Sequence, residues 1–115
     1  MAYMMLILEP QGQRADRTPE EGRVAYQRMQ EYAASLRRRG VLIASDALKT
    51  EAVRLVPHQG SAQRLDGPFT EAKELIGGFF LIDTPTREEA LRLARECPAA
   101  GWATLEVREI GTCYE

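Results

Sequence analysis

At 115 residues the chain has room for one domain with one proper core and not for two, so it is treated as a single domain over 1–115. Hydrophobic content of 44% and charged content of 28% are ordinary for a soluble globular protein, and a net charge of −2 excludes the basic footprint of a nucleic-acid binder or of a protein held on an anionic membrane. The apolar start, residues 1–8, is too short to span a bilayer and lacks the charged n-region of a signal peptide, so no membrane partner and a cytoplasmic location are expected.

Tyr3 to Leu8 is apolar at every position, which predicts a strand covered on both faces. Glu9-Pro10-Gln11-Gly12 ends it, and a polar loop follows. Thr18 is a good N-cap, Pro19 suits the first helical position and Glu21 completes a capping box. Ala25, Tyr26, Met29, Ala33 and Leu36 then recur at helical spacing, so a helix is predicted over 19–39 with Gly40 as its left-handed terminator. Tyr26 is assigned to the core. The one basic run, Arg37-Arg38-Arg39, falls in the last turn, where cations complement the helix dipole. Val41 to Ser45 begins a strand, and 46–51 is irregular. Two extended runs, 52–56 and 61–65, flank Pro57-His58-Gln59-Gly60, which reads as a four-residue turn of a peripheral hairpin.

The next stretch is the most informative. Pro68 fixes its own φ and restricts Gly67, so Asp66-Gly67-Pro68-Phe69 is a stiff corner. Glu71, Lys73 and Glu74 follow within four positions. Ile76 to Ile82 then reads as a buried strand, opened by Gly77-Gly78, which lets another backbone approach closely. Together these residues resemble the signature of the YCII-related family in its DGPF branch: the Asp66–Phe69 corner, Glu71-x-Lys73-Glu74, and Gly77-Gly78-Phe79. The layout of the remaining chain fits the same family.

Thr86 and Glu89 cap a second helix whose buried stripe is Ala90, Leu93, Ala94 and Cys97, and Pro98 stops it. Over 103–109, Ala103, Leu105 and Val107 alternate with Thr104, Glu106 and Arg108, the pattern of a half-exposed edge strand. The predicted class is therefore α+β: a ferredoxin-like βαββαβ sandwich, with two helices on one face of an antiparallel sheet of four or five strands. Two helices cover one face only. The first strand and the 76–82 strand are apolar on both, with Phe80 assigned to the core, so the open face predicts a homodimer. The family resemblance implies the same arrangement, a dimeric α/β barrel.

Candidate chemistry centres on the corner. Asp66 is the expected acid or base, with Lys73 and Glu74 beside it as further catalytic candidates. Phe69, Glu71, Gly77, Gly78 and Phe79 are the residues expected to bind a small organic molecule. Alternatively, Asp66 fixes the Gly-Pro corner and its charged neighbours form a solvated cluster. Extended backbone would point Glu71 and Lys73 the same way, whereas a helical turn would pair Glu71 with Glu74. Any chemistry there is expected to be cofactor-free proton transfer or lyase-like, with Asp66 as the acid or base; alternatively, the resemblance implies a non-catalytic accessory or regulatory module, since relatives are often encoded beside extracytoplasmic-function sigma factors. Some relatives are thought to use a His-Asp pair, but the only histidine, His58, lies in the hairpin and matches no family motif, so no dyad is carried over. Cys97 and Cys113 form no metal or redox motif, and neither a metal nor a cofactor is expected.

Overall fold

The nine-residue strand β1, Ala2–Pro10, runs through the middle of the molecule, and the computed structural model, which describes residues 1–114, builds everything else around it. In chain order follow a single helical turn α1 (Gln13–Asp16), the long helix α2 (Pro19–Arg38), β2 (Leu42–Ala47), β3 (Val53–His58), β4 (Ser61–Asp66), β5 (Glu74–Asp83), α3 (Arg87–Glu96), a short 3-10 turn and β6 (Thr104–Glu109). The main sheet is antiparallel, in the order β2-β5-β1-β6, with both helices on one face. This is a ferredoxin-like α+β fold. The β3–β4 hairpin does not join the sheet but forms a ribbon of its own, so the sheet has four strands.

The caps act as the sequence dictates. Thr18 Oγ1 accepts from the Glu21 N–H at 3.1 Å, while the Thr18 N–H donates to Glu21 Oε1 at 2.8 Å. That bond holds the Glu21 carboxyl below its ordinary range. At the other end Gly40 takes φ +74°, the Gly40 N–H reaches Arg37 O and the Val41 N–H reaches Leu36 O, closing α2 one residue earlier than expected.

Tyr3, Met5 and Ile7 of β1 and Phe80 and Ile82 of β5 form the sheet's contribution to the core. Tyr32, Ala33 and Leu36 of α2, with Ala90, Leu93 and Ala94 of α3, pack down on them. Tyr32 stacks edge-on to Phe80 at 5.1 Å and donates its hydroxyl to Leu93 O at 2.6 Å, which satisfies the one polar atom it buries. Phe80 is thus a core residue, but Tyr26 is not. Tyr26 is 57% exposed, because the N-terminal half of α2 stands over a cleft rather than over packed side chains.

Three boundaries also shift. β2 extends through Ala47 and β5 begins at Glu74, because each gains pairing partners from its neighbour. The hairpin turn is two residues, not four: Gln59 and Gly60 both take positive φ, so Pro57 and His58 remain paired with Ala62 and Ser61. Among the described residues no helix is long and apolar enough to cross a membrane.

Both cysteines are free; Cys113 is exposed, and burial pushes the Cys97 thiol up to about 11 from 9.0. The native state therefore holds this proton while the unfolded chain loses it. The stability Cys97 contributes is whole below about pH 9 and is lost as pH rises toward 11. Urea unfolding at pH 8 and pH 10.5 should cost the wild type about 2 kcal/mol more than Cys97→Ala, at ~1.4 kcal/mol per pKa unit. Equal losses in the two proteins would contradict this.

Candidate functional site

Alternation along β1 turns Tyr3, Met5, Ile7 and then Glu9 toward the helices, which places a carboxylate where the pattern calls for an apolar group. Glu9 is 5% exposed. A carboxylate so placed needs room and a countercharge. Room comes from β5. Ile7 pairs with Gly78 and Leu8 with Ile76, leaving Gly77 as the extra residue of a β-bulge. A Cβ on Gly77 would lie 2.6 Å from the Glu9 carboxyl carbon, and one on Gly78 would lie 2.9 Å from Asp46 O. Only glycine fits at either position.

The countercharge comes from α1. Arg14 Nε lies 2.7 Å from Glu9 Oε1, Nη1 donates to Leu48 O at 2.7 Å and Nη2 donates to Gly77 O at 3.1 Å. The Nε–H is not aimed along the contact. Glu9 Oε1 is thus ion-paired yet receives no hydrogen bond among the described residues. Next to this pair Gln13 Nε2 donates to Trp102 O at 2.7 Å, and the guanidinium groups of Arg17 and Arg28 lie over the Trp102 ring at 5.5 and 5.2 Å.

Between α2 and the sheet these residues enclose a cleft of about 620 Å³. Gly77, Gly78, Ile7 and Phe80 line it from the sheet, Tyr26, Met29 and Ala33 line it from α2, and Trp102 borders it as well. A second, larger hollow of about 1070 Å³ lies against the β2–β3 loop and the Gly67-Pro68-Phe69 corner. Glu9 and Arg14 border both. Among the described residues, no three or more His, Cys, Asp or Glu side chains are gathered as a metal site.

A family model, the YCII-related domain, matches residues 1–112. The chain belongs to the YCII-related family. Among curated proteins, an uncharacterised protein of Rhizobium meliloti (strain 1021) is 41% identical over 63 residues, 53% of this chain and 51% of the relative's own length. The match thus spans about half of that relative.

In this YCII-related chain the signature residues do not gather at one point. Gly77 and Gly78 line the α2–sheet cleft, and Phe69 and Glu74 line the second hollow. The Phe69 ring lies under the Arg54 guanidinium at 3.8 Å, and the Gly67–Pro68 peptide is cis. Asp66 is exposed and accepts from Arg64 Nε at 2.8 Å. Glu71 is exposed, 3.6 Å from Arg54, in a turn closed by Ala72 N–H to Phe69 O. Lys73 is exposed and fixes the corner through its carbonyl, which accepts the Gln11 N–H at 3.0 Å. Neither hollow is lined by Asp66, Glu71 or Lys73. Phe79 lies on the helix-free face, opposite Leu6. His58 is exposed at the end of β3.

Glu9 and Arg14 are the residues that reading the sequence missed. β1 is apolar at every position through Leu8, so its inward phase is invisible until Tyr3 or Met5 is known to be buried. Once that phase is set, an acid on the inward row of β1, with a Gly-Gly pair in the chain to make room for it, is the available signal.

Gly77→Ala drives a methyl into the Glu9 carboxylate and should destabilise the chain by roughly 1–3 kcal/mol, the usual range for overpacking. The same change at Gly101, where an added Cβ meets nothing within 4 Å, should be near neutral. Urea unfolding of both variants checks this; equal midpoints would mean the Glu9–Gly77 contact is not tight.

Proposed function

We propose that this YCII-related chain is a cytoplasmic homodimer that binds a small organic molecule in the cleft between α2 and the sheet, with Glu9 receiving a proton or hydrogen bond from it and no cofactor. One observation carries the reading: a carboxylate beside a cleft of about 620 Å³ is buried with one oxygen lacking a hydrogen bond, and Gly77 is the residue that gives that carboxylate room. Native interiors rarely leave such an acceptor unmet, and in this reading a donor in the cleft approaches the Glu9 carboxylate, which borders it. The cleft size and its mostly apolar walls are those of small-molecule sites. In this reading Gly77 and Gly78 form the floor, and Phe69 and Glu74 border the adjoining hollow. Asp66, with Glu71 and Lys73, holds the corner in shape. Glu9 is favoured over Asp66 as the acid or base because Asp66 is exposed and lines neither hollow, whereas Glu9 is buried and borders both.

The dimer reading rests on the other face. Met4, Leu6 and Leu8 of β1 and Phe79 and Leu81 of β5 form apolar rows with no helix over them, whereas a solvated sheet face alternates to polar residues. Thr104, Glu106 and Arg108 on the neighbouring edge strand β6 would make a polar rim.

Protein-detected NMR with a library of small organic molecules tests the site. Shifts should gather on Gly77, Gly78 and the Trp102 indole, and Glu9→Gln should weaken those hits at least tenfold. Hits gathered at residues 66–69 instead would return the site to the corner, and none in either place would remove the binding reading.

For the assembly, sedimentation at micromolar loading should give a dimer, and Leu6→Lys should give a folded monomer. A wild type that already runs as a monomer would sink that half of the proposal.

A further inference from the structure

The helix-free face of the sheet carries a pattern of charge as well as an apolar one. Strand pairing sets its rows. In one, Met4 stands between Leu81 and Arg108, with Ala44 beyond Leu81. In the next, Leu6 stands between Phe79 and Glu106, with Asp46 beyond Phe79. Each row is thus apolar in its middle, on β1 and β5. At the β6 edge the two rows end in Arg108 and Glu106, and at the β2 edge they end in Ala44 and Asp46. Leu105 and Val107 pack against the core, which turns Glu106 and Arg108 to the helix-free side. Among the described residues Asp46, Glu106 and Arg108 take part in no ion pair.

Resting on the dimer reading proposed above, we infer that the second copy covers this face about a two-fold axis that runs across the strands, midway between the two rows. Glu106 of each copy then pairs with the partner's Arg108. Aligned face-packed sheets keep their strand directions within about 30° of one another, so the axis runs nearly along the strands or nearly across them. An axis along the strands leaves every residue at its own level. With the sheets overlapped, β6 then covers the partner's β2, and Glu106 meets the partner's Asp46, acid against acid, on both sides of the interface. An axis across the strands sets β6 over the partner's β6 and reverses the levels. If it passed through either row, it would set Glu106 on the partner's Glu106 or Arg108 on the partner's Arg108. Midway between the rows, it sets Glu106 on the partner's Arg108, Met4 on the partner's Leu6 and Leu81 on the partner's Phe79. Asp46 faces the partner's Ala44 at the rim. Of these arrangements the midway one alone sets opposite charges together and apolar residues on apolar residues. Packed sheets stand about 10 Å apart, a gap that a glutamate and an arginine side chain bridge between them.

Glu106→Arg and Arg108→Glu, both changes at exposed positions, test the pairing by sedimentation, with circular dichroism to check the fold. Either variant alone sets like charge on like at two places and should dimerise about tenfold or more weakly than wild type. Mixed one to one, the two variants restore both pairs of opposite charge. The mixture should therefore regain wild-type dimerisation, and native mass spectrometry should show the heterodimer in excess over either homodimer.

A Glu106→Arg dimer tighter than wild type would overturn the inference, because relief of a clash with the partner's Asp46 belongs to the axis along the strands. Variants that dimerise as wild type does would also overturn it and leave the dimer itself standing. Weakened variants that do not rescue each other would show that Glu106 and Arg108 do not meet, which defeats the pairing. A monomeric wild type would remove the dimer and the pairing together.

Discussion

A carboxylate turned inward on a central strand is the constraint from which the architecture of this end of the molecule follows. Removing such a group from water costs several kcal/mol, and an ion pair offsets that only when its geometry is good. Here the pair is close but one oxygen lacks a hydrogen bond, so an apolar side chain of similar size would stabilise the fold more. Everything near Glu9 accommodates it nonetheless. β5 takes a bulge of two glycines, and α1 exists as one turn that carries Arg14 into place. Arg14 in turn draws the β2–β3 loop inward through Leu48 O. A charged residue kept where the strand pattern calls for an apolar one is the departure on which the proposed cleft reading rests.

The same bulge divides α2 into two working halves. Toward its C-terminus, Tyr32, Ala33 and Leu36 meet Phe80 and the residues of α3 and form the core. Toward its N-terminus, the sheet beneath has lost its side chains at Gly77 and Gly78, so Tyr26 and Met29 overhang space. Stability and the cleft thus share one helix and meet at Ala33, which packs in the core and also lines the cleft. The family match, from residue 1 to 112, includes the whole sheet and both helices.

Much of this was legible in the residues. Thr18, Pro19, Glu21 and Gly40 marked the ends of α2, Thr86 and Glu89 marked the start of α3, and the Gly-Gly pair marked a close approach. Chemistry at short range set each of these. What stayed hidden depended on partners distant in sequence. Glu9 looked like the end of a strand, because only its neighbours across the sheet make it buried. Tyr26 fitted the helical stripe, and nothing local reveals that the sheet opposite is hollow. Asp66 drew attention because it opens a stereotyped corner. Its exposure reflects the hairpin standing clear of the sheet, a tertiary fact that no window of sequence contains.

That hairpin has a consequence of its own. Nearly every residue of β3 and β4 is exposed, and its ribbon of hydrogen bonds closes on itself rather than on the main sheet. Its tether is the Gly67 N–H bond to Ala52 O, with the Arg54–Phe69 contact beside it. Such an appendage can fray, lengthen or be recoded without the remaining strands registering the change. An insertion there would leave the four-stranded body intact and reshape the brow over the hollow at the Gly67–Phe69 bend.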